Sequence, residues 1–236
     1  RHAARALSGR CRMDEALPGE IPVWDPIVRV VHWTLVLLLA VLVPTGLAGG
    51  QWLAWHMRAG EAMLALVLFR VAWGFAGSRN ARFRAFVRGP RAVGRYARAL
   101  RHRAHELHAT HNPLGAWMVV ALLTMLLLQC SLGLFTNDDL LYEGPLAKFV
   151  TKDVSDLLAR LHRRGWWILL VLAGVHVGAV ASYYVLLRDN LVRPMITGRE
   201  RLPADVAAPQ SHAWSPARAA ALFALSVALV VYIASR

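Results

Sequence analysis

Four histidines, His32, His56, His162 and His176, each interrupt a long apolar run. Ionisable side chains are costly to keep in lipid and mark function by default. An imidazole nitrogen is also a ready axial ligand for iron, so the question is whether the four act together. His162 and His176 share the run LHRRGWWILLVLAGVHVGAV and lie 14 residues apart. At 3.6 residues per turn that is about four turns, so both rings face nearly the same way, roughly 21 Å apart along the helix. One helix face therefore offers two ligands at two depths. The same interval separates His32 from Gly46 and His56 from Arg70. A lone histidine in such a helix more often donates a packing hydrogen bond, so pairing decides the matter.

The elements that carry these residues follow from hydropathy. The chain has 236 residues, 57% of them hydrophobic, and a mean hydropathy of +0.41. Five runs approach the ~20 apolar residues that cross a bilayer: Ile27 to Gly49, Trp55 to Phe75, Pro113 to Phe135, about Leu161 to Leu187, and Pro216 to Ala234. Lipid gives backbone groups no outside partner, so each run is expected to be a helix and the fold class is all-α integral membrane. A net charge of +13 would suggest nucleic acid in a soluble protein, but here the distribution matters more. Arg79 to Arg103 holds nine arginines and no acid. Thr136 to Arg160 holds five acids, Asp138, Asp139, Glu143, Asp153 and Asp156, against Lys148, Lys152 and Arg160. Basic segments stay in the cytoplasm. The N-terminus, the Arg79 loop and Arg188 to Arg201 are therefore expected inside, and the acidic loop and C-terminus outside. Membrane lipid, not nucleic acid, is the expected partner of the arginines.

Helix direction then sets depth. The first helix runs outward, placing His32 near the inner side; the second and fourth run inward, placing His56 and His162 outside and His176 inside. Two depth-matched pairs in an apolar bundle, with no thiolates or carboxylate cluster nearby, fit bis-histidine ligation of two non-covalent haems b. A covalent c-type haem is excluded because CxxCH is absent. A flat cofactor also needs a slot. Gly46 leaves a gap at the outer level of the first helix, unless it merely belongs to the helix end, and Gly115 and Gly133 could do the same on the third. Arg70 falls at the inner level on the ligand-bearing face, where a haem propionate would be its partner. The plain alternative is snorkelling to the interface. Arg163 and Arg164, near the outer pair, read first as interface anchors.

Local signals punctuate the runs. VWDP (Val23 to Pro26) launches the first helix, HNPLG (His111 to Gly115) starts the third, and Ser215-Pro216 opens the fifth. Few residues separate the first two spans, which must form a tight antiparallel hairpin. Ser155 is expected to cap an outward extension of the fourth helix. The segment YARALRHRAHELHA is expected to form a short interfacial helix. It includes His102, His105 and His108, which with His111 form a tract of histidines at every third residue. Such a tract resembles a metal site, but the spacing drifts off one helix face and reads first as part of a basic loop. Cys11 in the tail and Cys130 in the third span cannot meet on this topology, so no disulfide is expected. The tail before Trp24 reads as cytoplasmic, with Met13 a candidate initiator.

Taken together, WDPIVRVVHW (Trp24 to Trp33), Thr45-Gly46, WHMRAGEAMLALVLFRVAWGFAGSRNARF (Trp55 to Phe83), HNPLGAWM (His111 to Met118), the His162 and His176 pair, and NLVRPMITG (Asn190 to Gly198) resemble the bacterial cytochrome b561 family. The closest resemblance is to its branch of nickel-iron hydrogenase cytochrome b subunits, over about Val23 to Gly198. It implies a four-helix dihaem bundle ligated from the first, second and fourth helices, hence by His32, His56, His162 and His176. Arg29, inside the first of these segments, joins Arg70 and Gly46 among the cofactor-binding candidates. The resemblance also implies electron transfer in the bacterial inner membrane between a quinone pool and a redox partner. That partner would be a hydrogenase, a cytochrome c or another exported, periplasmic oxidoreductase. The organisation expected is a cytoplasmic tail (1–26), the four-helix core (27–190), a cytoplasmic linker (191–214) and a fifth transmembrane helix (215–236). Two rivals remain at this stage: a self-sufficient quinone-linked oxidoreductase acting on a small oxidant, and a haem-free metal or proton transporter.

Overall fold

A computed structural model describes residues 20–101, 112–201 and 214–236. In chain order the elements are β1 (Glu20–Pro22), α1 (Pro26–Ala48), α2 (Leu53–Ala76), α3 (Phe83–Phe86), α4 (Pro90–Arg101), α5 (Pro113–Gly133), α6 (Lys152–Leu186), α7 (Val192–Thr197), β2 (Arg199–Arg201) and α8 (Pro216–Ala234). Helices α1, α2, α5, α6 and α8 are long and apolar enough to cross a membrane, as expected from the five runs. The His102/His105/His108/His111 tract, the first 19 residues and most of the expected linker lie outside the described residues.

Three of the five spanning helices, α1, α5 and α8, start on a side chain that caps them. Asp25 caps α1 by accepting the Val28 amide at 2.7 Å, with Pro26 in the first turn. Asn112 caps α5 by accepting the Gly115 amide at 2.8 Å, and Ser215 caps α8 by accepting the Arg218 amide. These caps satisfy amides that the helix itself leaves free. Between α1 and α2 the chain reverses through Gly49 (φ 64°) and Gly50 (φ 52°), a left-handed backbone that favours glycine.

The start of the fourth span differs from expectation. Thr151 precedes α6, and Ser155 lies inside the helix, buried. Its hydroxyl donates to the Phe135 carbonyl at 2.7 Å and accepts from Asn137 at 2.6 Å. The side chain ties α6 to the preceding loop, so it is not free to cap. At 35 residues, α6 is roughly 50 Å long, well beyond a ~30 Å hydrocarbon core, so its first turns project past the bilayer.

Helix α2 is the centre of the bundle and packs on α1, α5 and α8; α6 packs on α5. One core layer joins Val28, Val31, Phe69, Trp73 and Ala219, and a second joins Met63, Val67, Met125, Leu126 and Leu169. Helix α8 seats Phe223 edge-on against Phe69, ring centroids 5.5 Å apart. Most of α6 faces outward, with Val171, Val177 and Leu186 all more than 60% exposed, as a lipid-facing helix would be.

The ends of the bundle are pinned differently. At the end that carries the arginines, the second oxygen of Asp25 accepts from Trp73 Nε1 at 3.2 Å and from the Ser78 hydroxyl, tying the start of α1 to the end of α2. Tyr183 on α6 joins Tyr96 on α4 and accepts from Asn112 ahead of α5. Residues 192–201, expected as linker, return to α1. Trp33 Nε1 donates to the Met195 carbonyl at 3.1 Å, and β2 pairs antiparallel with β1, Ile21 opposite Glu200. Helix α4 starts earlier than the expected interfacial helix, at Pro90. At the opposite end, the acidic loop is held by Asp138 Oδ1, which accepts the amides of Leu140, Leu141 and Tyr142.

Candidate functional site

The four histidines meet as two pairs. His32 on α1 faces His176 on α6, ring centroids 6.4 Å apart; His56 on α2 faces His162 on α6, centroids 6.0 Å apart. Along α6 the two levels are separated by 14 residues, about 21 Å. His32 and His176 lie toward the basic end of the bundle, His56 and His162 toward the acidic loop. The crossed combinations would have to span that axial distance.

The separations suit a shared metal ion. Two metal–nitrogen bonds of about 2.0 Å, plus ~1.1 Å from each nitrogen to its ring centre, place two axial imidazoles roughly 6 Å apart, centre to centre. Among the described residues no group of three or more His, Cys, Asp or Glu side chains converges, so two imidazoles are what each level could offer a metal. That donor set is what a planar tetrapyrrole iron requires. Beside the His56/His162 pair a cavity of about 500 Å³ opens between α1, α2, α5 and α6, lined by Leu42, Gly60, Leu126 and Trp166 among others.

The loop-side rings are held by backbone. His56 Nδ1 lies 2.9 Å from the Leu42 carbonyl and His162 Nδ1 lies 3.0 Å from the Gln129 carbonyl. The gap at Gly46 receives the His56 ring itself: a Cβ there would stand 2.8 Å from His56 Cε1. Gly133 receives the His162 ring in the same way, at 3.2 Å. Gly115 instead donates its amide to the Asn112 cap. Arg163 also lines the loop-side cavity.

The basic-side rings have different neighbours. His32 Nδ1 is buried and has no hydrogen-bond partner among the described residues. Arg70 is 6% exposed, its guanidinium 5.7 Å from the centre of the Phe83 ring, and one of its terminal nitrogens is buried without a partner. A buried, unpaired guanidinium nitrogen is expensive and calls for an anion. Arg29 donates from Nη1 to the Ile196 carbonyl at 2.5 Å, while its Nε is buried and unpartnered.

Sequence reasoning passed over Gln129. It is a buried side chain whose Nε2 donates to the His162 carbonyl at 2.6 Å. Its signal was there to see, a lone amide in the apolar run MLLLQCSLGLF. The roles of Trp73 and Ser78 at Asp25 carried no such signal, because they depend on α1 and α2 lying side by side.

Comparison with known proteins identifies the family. Residues 23–198 match the profile of the family described as prokaryotic cytochrome b561. A protein of Rhodobacter capsulatus named "Probable Ni/Fe-hydrogenase B-type cytochrome subunit" is 26% identical, over 78% of this chain and 82% of its own length. A protein of the same name from Rhizobium leguminosarum bv. viciae is 24% identical, over 78% of this chain and 89% of its own. No solved structure matches. The matched segment contains both histidine pairs and the four helices around them. With that coverage, the chain belongs to the prokaryotic cytochrome b561 family and is a multi-pass membrane cytochrome of the haem b type that takes part in electron transfer.

Proposed function

We propose that this chain carries two haems b, one held by His32 and His176 and the other by His56 and His162, and relays electrons across the bacterial inner membrane. The observation that carries the reading is the pairing itself, two ring–ring separations near 6 Å at two levels about 21 Å apart. Bound haem would supply one-electron redox chemistry at each level. The protein supplies the rest. Its histidines orient the iron sites, Arg70 offers charge to a propionate, and the apolar helices exclude water. Arg29, with one nitrogen engaged by the Ile196 carbonyl and Nε unpartnered, is a second basic group beside the His32 level.

The arginine-rich end sits in the cytoplasm and the acidic loop in the periplasm, since basic segments are retained inside. The quinone pool exchanges electrons at one end, and a periplasmic redox protein docks at the other. The relatives' printed name points to a nickel-iron hydrogenase as that protein.

The test is haem content and redox-titrated optical spectra of the four single His→Leu variants. His56→Leu and His162→Leu should each lose the same haem and keep the other; His32→Leu and His176→Leu should form the second matching set. If His32→Leu instead matches His56→Leu, or all four retain two haems, the reading fails. Orientation is read with a membrane-impermeant thiol reagent in whole cells, on Leu141→Cys, 85% exposed at the loop tip, and Gly94→Cys. Labelling at 141 and not at 94 is expected; the reverse overturns the topology.

A further inference from the structure

Both loop-side histidines sit in the same local device. His56 lies against α1, with Nδ1 at the carbonyl of Leu42 and its ring over Gly46, four residues on. His162 lies against α5, with Nδ1 at the carbonyl of Gln129 and its ring over Gly133, again four residues on. The spacing has a physical reason. A helical carbonyl at position i already accepts the amide of i+4 and keeps a second lone pair. The Cβ of i+4 tilts toward the helix N-terminus and flanks that carbonyl. Glycine at i+4 uncovers it.

We propose that Gly46 and Gly133 are positioning residues for the loop-side haem. By opening a notch over the Leu42 and Gln129 carbonyls, they let each imidazole lie against the neighbouring helix. A carbonyl has no hydrogen to give, so Nδ1–H is the donor in both rings. In the neutral imidazole that leaves Nε2 as the free lone pair, the form a metal needs. Gln129 reinforces one side: its amide holds the His162 carbonyl, and its Oε1 passes so close to Gly165 that a Cβ there would stand at 2.5 Å. The basic-side pair has no such device. Nothing lies within 4 Å of a Cβ built at Gly174 or Gly178, the glycines flanking His176, and His32 Nδ1 has no partner among the described residues. This inference rests on the reading of His56 and His162 as ligands of one haem.

The experiment uses Gly46→Ala and Gly133→Ala in the full chain. It measures retention of each haem against a competing haem-binding apoprotein, the ferric low-spin electron paramagnetic resonance signals, and redox-titrated spectra. An added methyl at 46 meets the ring at 2.8 Å and one at 133 at 3.2 Å, so Gly46→Ala has the larger effect. Loss of an outer-shell partner typically weakens metal binding by about 10–100-fold, and that loss is expected for the loop-side haem alone. Its midpoint potential should rise, because a ring without its carbonyl partner donates less electron density to iron. The basic-side haem, unchanged, reports that the bundle is folded. In the double variant His56→Leu/Gly46→Ala the ring is gone, so the remaining haem should match that of His56→Leu alone.

Unchanged loop-side signals in both glycine variants overturn the proposal. So does an equal shift at both haems, or a double variant worse than His56→Leu, since either makes Gly46 a helix-packing residue. Failure of the underlying ligand assignment shows separately: His56→Leu and His162→Leu would then not remove the same haem, whatever the glycine variants do.

Discussion

The two histidine levels of this cytochrome are built on different principles. On the loop side both rings are anchored to backbone carbonyls, and Gln129 clamps the helix that bears one of them. On the basic side, more polar atoms are left unpaired: His32 Nδ1, Arg29 Nε and an Arg70 terminal nitrogen are all buried without partners among the described residues, against Gln129 Oε1 alone on the loop side. Both loop-side rings have their Nδ1 at a protein carbonyl, whereas His32 Nδ1 has no partner among the described residues. Unpaired buried donors are costly, and a side that keeps two unpaired guanidinium nitrogens gains most from an anionic, hydrogen-bonding ligand. The loop side should therefore respond to changes in shape, and the basic side to changes in charge.

The largest break in that contrast should come from Asp25→Ala. It removes the α1 cap together with the acceptor for Trp73 and Ser78, at a cost of about 2–4 kcal/mol. Thermal unfolding in detergent should shift downward, and the basic-side haem should be lost first, since Asp25 joins the helix ends nearest His32. Equal loss of both haems would show that the levels are not separately built.

Arg70→Gln should leave unfolding nearly unchanged and act through charge. Removing a cation favours the oxidised haem, so the basic-side midpoint potential should fall and its retention weaken by about tenfold, with the loop-side haem untouched. An unchanged titration would mean that Arg70 serves packing against Phe83 alone. Gln129→Leu should do the mirror-image thing at about 1 kcal/mol, moving the loop-side paramagnetic signal and leaving the other in place.

The smallest effect is expected in the acidic loop. The Asp138 carboxylate accepts the amides of Tyr142, Leu140 and Leu141, which holds its pKa below the ordinary carboxylate value. A depressed native pKa stabilises the loop above the unfolded value near pH 4, and that contribution is lost as pH falls through the lower native value. Amide protection at residues 140–142, taken as exchange relative to the intrinsic rate at each pH, should therefore fall on acidification below about pH 4 and be flat above it. Asp138→Asn should remove the pH dependence while leaving both haem spectra unchanged.

Much of this was legible in the residues. Five apolar runs specified five helices, because lipid permits a lone backbone segment no other structure. Helix direction, read from where the arginines fall, paired His32 with His176 and His56 with His162, since helix rise converts sequence interval directly into depth. Short-range signals did as well: Asp25, Asn112 and Ser215 cap the helices they precede. Ser155 misled because its hydroxyl answers to Phe135 and Asn137, groups brought to it by the loop fold. What the tertiary structure alone decided is how rings meet neighbouring helices. Only the tertiary structure shows that the His56 ring lies over Gly46, and the Leu42 and Gln129 carbonyls carry no mark in the sequence at all. Depth is a property of one helix and can be counted along it; a notch exists only when a second helix lies across it, at a distance that interhelical packing sets.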